Sequence, residues 1–232
     1  MNRHVDKDYI RTHMRGLLDL FSQSEACLLA DVCQALQNDG ISFSGAAIFG
    51  DVETAIINVH ASGEMHRTIA SDVESYIHPS PNLRGLLERW RASGKTLFVL
   101  SNSSLDFINA GMSYIMGNDW MSCFDLTLSA SRKPDFYTST TPFRKLHETN
   151  APSTGPYKQT FRTDFRNVKE LETGQAYCRG SLKDLLRMRN WDEQRVLYFG
   201  DHLYSDLVAP TKLLGWRTGG VIREIENEID LN

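Results

Sequence analysis

Polar side chains that suit phosphate chemistry follow three separate apolar runs of the sequence. Ser101 and Asn102 come directly after the first run, Lys133 lies beyond the second, and Asp201 follows Gly200 at the end of the third. A lysine ammonium with hydroxyl and amide donors suits an oxyanion such as phosphate. A carboxylate on a sharp turn suits Mg²⁺, which completes its shell with water and phosphate oxygens. The pattern therefore predicts a phosphate–magnesium site.

The elements that must position these residues follow from the hydrophobic periodicity. Uninterrupted apolar runs of strand length are typical of strands buried on both faces, as in a parallel sheet. Such a run occupies 96–100, further strands are predicted at 124–128, 195–199 and 217–222, and helical repeats occupy 105–116, 182–188 and 203–214. Alternating strands and helices predict an α/β fold with a doubly wound parallel sheet, whose ligands bind at the carboxyl ends of the strands.

The residues before 79 differ from the rest of the chain, because their hydrophobic periodicity is helical throughout. Ser22 and Glu25 have the spacing of a capping box, and Asp51 is placed to cap a second helix. Ser80 and Pro81 predict the start of the next helix, with proline at its first position. We therefore divide the chain into a helical, cap-like region at 1–78 and an α/β core at 79–232.

A long segment at about 129–168 separates the second and third polar groups. It is rich in Pro, Thr, Ser and Arg, and we predict a loop over the sheet, which at that length is usually functional or mobile. Near its end, Arg144 and Lys145 could either reach a substrate phosphate or face water. At the third polar group, His202 and Tyr204 are interpreted as helix-start and packing residues.

Composition restricts the classes of function. The chain has 232 residues, of which 41% are hydrophobic and 23% charged, as in globular proteins. Its net charge of −4 argues against a general nucleic-acid or anionic-membrane binder, and no apolar run is long enough to cross a bilayer. The spacing of the four cysteines, Cys27, Cys33, Cys123 and Cys178, fits neither a zinc site nor a disulfide framework, which favours a reducing compartment.

Two stretches of the sequence carry a family resemblance. The residues at 97–146 include SNSSLDFINAGMSYIMG, DWMSCFDLTL and RKPDFYTSTTPFRKL, and those at 196–226 include VLYFGDHLYSDL and GWRTGGVIREIE. Both resemble the haloacid dehalogenase-like phosphohydrolases, and more narrowly the family of cytosolic purine 5′-nucleotidase and the 5′-nucleotidase domain-containing proteins. The helical region before residue 76 is compatible with that family at lower specificity.

The resemblance implies roles for the polar residues. Ser101 is similar to the hydroxyl that holds the transferring phosphoryl group, with Asn102 beside it. Lys133 resembles the lysine that neutralises the phosphoryl oxygens and the nucleophile, Asp201 the Mg²⁺ ligand, and Asp206 a second carboxylate that supports Asp201. The implied reaction is Mg²⁺-dependent hydrolysis of a nucleoside 5′-monophosphate or another small phosphomonoester, through a covalent aspartyl phosphate. The implied compartment is the cytoplasm, with the mitochondrion left open, and a homo-oligomer is possible.

One part of the family pattern is missing from the sequence. The family's nucleophile belongs to an Asp-x-Asp-x-Thr/Val motif directly after an apolar strand. Asp6-Lys7-Asp8 is the one Asp-x-Asp here, and the polar residues before it do not form a buried strand. We therefore do not expect Asp6 to be the nucleophile, and we expect the chain alone to release no phosphate from IMP or GMP.

The missing motif also has a structural consequence. In the related fold its strand is central, between the strand before Ser101 and the strand before Asp201. Without it, two apolar edges face a gap, which is an aggregation hazard. The sequence thus predicts an N-terminally truncated fragment. Two alternatives stay open: a catalytically inactive pseudoenzyme or interaction protein on the same scaffold, and a non-functional truncated product.

Overall fold

The computed structural model describes residue 16 and residues 19–149 and 155–226 of the chain. Its first four helices are α1 (Leu20–Asn38), α2 (Gly45–Ser62), α3 (Glu64–Ser71) and α4 (Val73–Tyr76). The helical periodicity before residue 79 is therefore confirmed for the described residues. Helices α3 and α4 pack against a later helix, α6 (Leu105–Met116), where His66 meets the edge of Phe107 with ring centroids 4.6 Å apart.

The predicted helix starts are wrong in detail. Helix α1 begins one turn earlier than expected, and its capping box pairs Asp19 with Ser22, whose backbone N–H donates to the Asp19 carboxylate at 2.6 Å. Asp51 lies inside α2, which begins at Gly45 after Ser44 at its N-cap position. Helix α5 (Leu83–Ala92) begins after a turn in which the Leu83 N–H donates to the Ser80 carbonyl, not at Pro81.

A five-stranded sheet forms the centre of the fold. Its strands are β1 (Phe98–Leu100), β2 (Leu126–Ser129), β3 (Phe143–Glu148), β4 (Phe161–Thr163) and β5 (Gln175–Arg179), in the spatial order β1-β2-β5-β3-β4. Strands β1, β2 and β5 are parallel, and β3 and β4 add an antiparallel edge. The predicted α/β class is therefore confirmed with a mostly parallel central sheet, whereas the sequence predicted a parallel sheet without the antiparallel strands β3 and β4.

The prediction of a loop throughout 129–168 is wrong, because β3 and β4 lie within it. Strand β3 reads FRKLHE, and only its first residue is buried. An antiparallel strand with partly exposed side chains needs no apolar run, so the sequence of β3 carries little strand signal. Strand β5 was missed as well, since its QAYCR sequence mixes polar and apolar residues although three of its five residues are buried.

A second, two-stranded parallel sheet follows, formed by β6 (Leu197–Gly200) and β7 (Arg217–Gly220). Helices α7 (Leu182–Arg189) and α8 (Ala209–Leu214) belong to this half, and a π-helix at Leu203–Val208 joins β6 to α8. The predicted helix at 203–214 is therefore a π-helical turn followed by a short α-helix.

The two sheets approach one another through side chains rather than through a backbone ladder. Among the described residues, β1 and β6 each have a single strand neighbour, as the sequence predicts. The Tyr198 hydroxyl of β6 donates to the Leu100 carbonyl of β1 at 3.2 Å, and the Tyr198 ring stacks near Phe98. Leu197 and Phe199 on β6 remain about half exposed. No helix in the described part of the chain is both long and apolar enough to cross a membrane.

Candidate active site

The carboxyl ends of β1 and β2 are joined by backbone hydrogen bonds just beyond the strands. The Ser101 N–H donates to the Leu128 carbonyl at 2.9 Å, and the Ser131 N–H donates to the Ser101 carbonyl at 3.0 Å. The Ser101 hydroxyl accepts from the Ser103 N–H at 3.1 Å. The half-buried Ser101 hydroxyl is thus held in place at the edge where ligands of parallel sheets bind.

Asn102 fixes the position of Lys133 through two hydrogen bonds to its backbone. The Asn102 amide donates to the Lys133 carbonyl at 3.0 Å and accepts from the Lys133 N–H at 2.5 Å. These two residues are 31 positions apart in sequence. The paired contact therefore brings the loop after β2 onto the end of β1.

The Lys133 ammonium is buried and has two partners, one on β6 and one on the π-helix that follows it. Its Nζ donates to Asp206 Oδ1 at 2.7 Å and to the Tyr198 hydroxyl at 2.5 Å. The side chains of Lys133 and Asp206 are only 9% and 6% exposed. This buried ion pair links the two sheets at the candidate site.

The turn after β6 carries both predicted carboxylates. His202 begins the π-helix, and its ring Nδ1 accepts from the Tyr204 and Ser205 N–H groups. The prediction that His202 is a helix-start residue is therefore confirmed. Asp206 Oδ2 accepts from the His202 N–H at 3.3 Å, so the turn folds back on the buried Asp206 carboxylate.

Gly200 leaves the space that Asp206 occupies. A Cβ atom at position 200 would lie 2.3 Å from the Asp206 Cβ. The glycine in the Gly-Asp sequence is therefore needed because another side chain packs on its backbone, a reason that the sequence does not reveal.

The structure brings Ser101, Asn102, Lys133 and Asp206 into one connected group. Asp201 lies at the same strand end, but it is exposed, and its carboxylate forms no hydrogen bond or ion pair with the described residues. The Asp206 carboxylate contacts Lys133 and not Asp201, so it does not support Asp201 directly. The Asp-x-Asp sequence at 6–8 lies outside the described residues.

Tyr198 belongs to this group although sequence reasoning did not single it out. Its hydroxyl contacts Lys133, Asp206 and the Leu100 carbonyl. The sequence signal that could have identified it is a tyrosine within an otherwise apolar run, because a buried tyrosine hydroxyl usually has a hydrogen-bond partner. Burial raises the pKa of the Tyr198 hydroxyl well above its ordinary value, and the neighbouring Asp206 carboxylate raises this pKa further.

The raised pKa predicts an alkaline loss of stability. Above pH of about 10, the ordinary tyrosine value, the unfolded chain loses the Tyr198 proton while the folded chain keeps it. The unfolded state then binds fewer protons, so the free energy of unfolding falls as pH rises. The free energy of unfolding, measured with urea below and above pH of about 10, should fall less for Tyr198→Phe than for the wild type. The exposed Tyr76 is the control, and an equal change of slope in Tyr76→Phe would contradict the assignment.

The donors at this edge can be tested for their fit to Mg²⁺. No group of three or more His, Cys, Asp or Glu side chains that could enclose a metal occurs among the described residues. Mg²⁺ needs no such cage, because one or two carboxylates, water and substrate phosphate complete its shell. The exposed Asp201 carboxylate fits this mode, whereas Asp206 Oδ1 is already paired with the Lys133 ammonium.

Arg144 and Lys145, in the 129–168 segment, both have protein partners. Arg144 donates to the Phe165 carbonyl at 2.7 Å, and Lys145 forms an ion pair with Glu172 at 2.8 Å. The sequence left open whether these two residues reach a substrate phosphate or face water. Neither contact places them at the candidate site. A surface groove of about 530 Å³ lies along β3 and β4 between His147 and Arg166 and contains none of the predicted site residues. The chemistry of the buried group, rather than groove size, identifies the candidate site.

Comparison with known proteins identifies the family of the chain. A sequence profile of the 5′ nucleotidase family matches residues 1–232, and the chain belongs to this family. Among curated proteins it is 39% identical over 217 residues to 5′-nucleotidase domain-containing protein 2 of Homo sapiens, covering 93% of this chain and 40% of that protein. The same protein from Rattus norvegicus also gives 39% identity, with 93% and 37% covered. A 5′-nucleotidase domain-containing protein of Dictyostelium discoideum is 35% identical over 230 residues, covering 96% of this chain and 37% of its own length. The chain therefore spans about two fifths of the length of these relatives.

Proposed function

We propose that the chain carries the phosphate- and magnesium-binding part of an Mg²⁺-dependent phosphomonoester hydrolase of the 5′-nucleotidase type, with a haloacid dehalogenase-like core. The observation that carries the proposal is the position of Lys133, whose backbone is fixed by Asn102 after β1 and whose buried ammonium is paired with Asp206 after β6. Family membership supports a nucleotidase-type phosphatase and a small nucleotide as its substrate. We take this substrate to be a nucleoside 5′-monophosphate.

Each residue of the group has a role in this proposal. The Ser101 hydroxyl and the Asn102 amide bind phosphoryl oxygens, and the Lys133 ammonium neutralises their charge. Asp206 and Tyr198 orient the Lys133 ammonium by accepting its hydrogen bonds. Asp201 holds Mg²⁺, which when bound would polarise the phosphoryl group.

The same geometry leaves no carboxylate free to act as a nucleophile in the described part of this edge. Asp206 is paired with Lys133, and Asp201 is assigned to the metal. We therefore propose that the chain alone binds its ligands without turnover. The runner-up function, an inactive pseudoenzyme or interaction protein on the same scaffold, shares this expectation for the isolated chain.

Calorimetric titration tests the proposed ligands. We expect IMP to bind more tightly with Mg²⁺ than without it, and inosine, which lacks the phosphate, to bind at least about tenfold more weakly than IMP. Asp201→Asn should abolish the effect of Mg²⁺, and its exposure makes misfolding of this variant unexpected. Asp31→Asn, an exposed aspartate on α1, is the matched control.

Phosphate release from IMP, followed in the same samples, should stay at background. Equal binding of IMP and inosine, or no binding of either, would overturn the proposal. Turnover that survives in Asp201→Asn would require a different metal ligand and a nucleophile outside this group.

A further inference from the structure

A second groove, of about 310 Å³, lies between the segments that follow β2 and β5, and we call it the arginine groove. It is lined by Ser131, Arg132, Asp135, Thr138, Thr141 and Arg179, among others. Arg132 precedes Lys133, yet the lining includes none of Ser101, Asn102, Lys133 or Asp201. The arginine groove is therefore a neighbour of the candidate active site and is formed by different side chains.

The Ser131 hydroxyl in this lining is buried without a partner. Ser131 is 3% exposed, and its Oγ has no hydrogen-bond partner. A buried polar atom of this kind calls for an explanation, because nearly all such groups in native proteins are satisfied. A ligand in the groove that accepts a hydrogen bond would satisfy the Ser131 hydroxyl.

Two guanidinium groups in the lining also lack partners. Within the described ranges, neither Arg132 nor Arg179 forms a side-chain hydrogen bond or an ion pair, although Asp135 lines the same groove. Both arginines have left-handed backbone, with φ of 59°. Non-glycine residues hold this conformation at a cost, and it is concentrated at ligand sites.

The charges determine what the groove can hold. Two arginines and one aspartate leave it with one positive charge in excess, on a chain whose net charge is −4. Arginine forks match the oxygens of a phosphoryl group, and hydroxyl donors complete the set. We propose that the arginine groove is a phosphate-binding site, occupied by a free phosphate ion or by the phosphoryl group of an ester. The inference does not depend on the hydrolase proposal.

Titration of the full chain without Mg²⁺ tests the site with inorganic phosphate as the probe. Arg179→Gln should weaken phosphate binding at least about tenfold, while Arg195→Gln, an exposed arginine elsewhere, should leave it unchanged. Phenyl phosphate that binds with the same dependence on Arg179 indicates an ester ligand, and binding of inorganic phosphate alone indicates the free ion. Acetate should bind more weakly than either.

The Ser131→Ala variant gives a second test, with a result that is not expected if Ser131 has only a structural role. The variant should have a higher Tm than the wild type in phosphate-free buffer, because it removes an unpaired buried hydroxyl. It should also show a smaller rise of Tm on addition of phosphate. A phosphate response that is equal in all variants would overturn the proposal.

Ser101→Ala separates the arginine groove from the candidate active site. Binding that is lost in Ser101→Ala and kept in Arg179→Gln would overturn the groove and support the hydrolase site. The reverse pattern supports the groove and leaves the hydrolase site to its own test with IMP.

Discussion

Replacing Lys133 by methionine is expected to lower the free energy of unfolding by about 3–5 kcal/mol. The methionine keeps the length of the side chain but leaves the Asp206 carboxylate buried, 6% exposed, without its cation. Removing one partner of a buried ion pair costs more than the pair contributes, because the remaining charge has no water to solvate it. Urea unfolding followed by circular dichroism measures the change.

A double-mutant cycle shows whether the pair itself causes this loss. Lys133→Met combined with Asp206→Asn should be more stable than the sum of the two single losses predicts, because the double variant buries no charge. Lys145→Met is the matched control, since Lys145 pairs with Glu172 at a similar distance but at the surface. An exposed pair contributes about 0–1 kcal/mol, and a loss of 3 kcal/mol or more in the control would contradict the argument.

Gly200→Ala should reduce stability by about 3 kcal/mol, the upper end of what overpacking usually costs. The added methyl group would lie 2.3 Å from the Asp206 Cβ and 2.6 Å from its Oδ2. Because both atoms belong to a buried side chain held by Lys133, the turn after β6 must move. We therefore expect weaker binding of IMP together with the loss of stability, measured by titration and by urea unfolding.

Gly50→Ala makes the same chemical change where it should have the opposite sign. Gly50 lies inside α2, and no described atom is within 4 Å of the position of its added Cβ. Alanine favours a helix over glycine by about 0.5–1 kcal/mol, so this variant should be slightly more stable than the wild type and bind IMP equally. Equal behaviour of the two variants would show that packing against Asp206 does not matter.

Strands β1 and β6 could be predicted because each is a run of mostly apolar residues, although one face of β6 is exposed. The run at 96–100 and the run at 195–199 became β1 and β6, and the polar residues after them lie at one edge. Ser101 and Lys133 were predicted separately, but the Asn102 contact that joins their loops was not. A side-chain amide bonding to a backbone 31 residues away leaves no periodic signal in the sequence.

The partners of the carboxylates could not be predicted for a related reason. Asp201 and Asp206 occupy the same sequence pattern, in which Asp201 was assigned to the metal and Asp206 to the support of Asp201. The structure buries Asp206 against Lys133 and leaves Asp201 exposed. Which of two carboxylates faces the interior depends on the π-helical turn after β6, and periodicity predicted an ordinary α-helix there.

The hydrogen bonds of the buried group also bear on how the chain folds. The contact between Lys133 and Asp206 spans 73 residues, and that between Tyr198 and the Leu100 carbonyl spans 98. Contacts between residues so distant in sequence require costly loop closure before they contribute, so they form slowly. Helices α1 and α2, which pack mainly against each other, can form ahead of them. Ligand binding at this edge would therefore measure the last stage of folding, which a measurement of helical content alone would not detect.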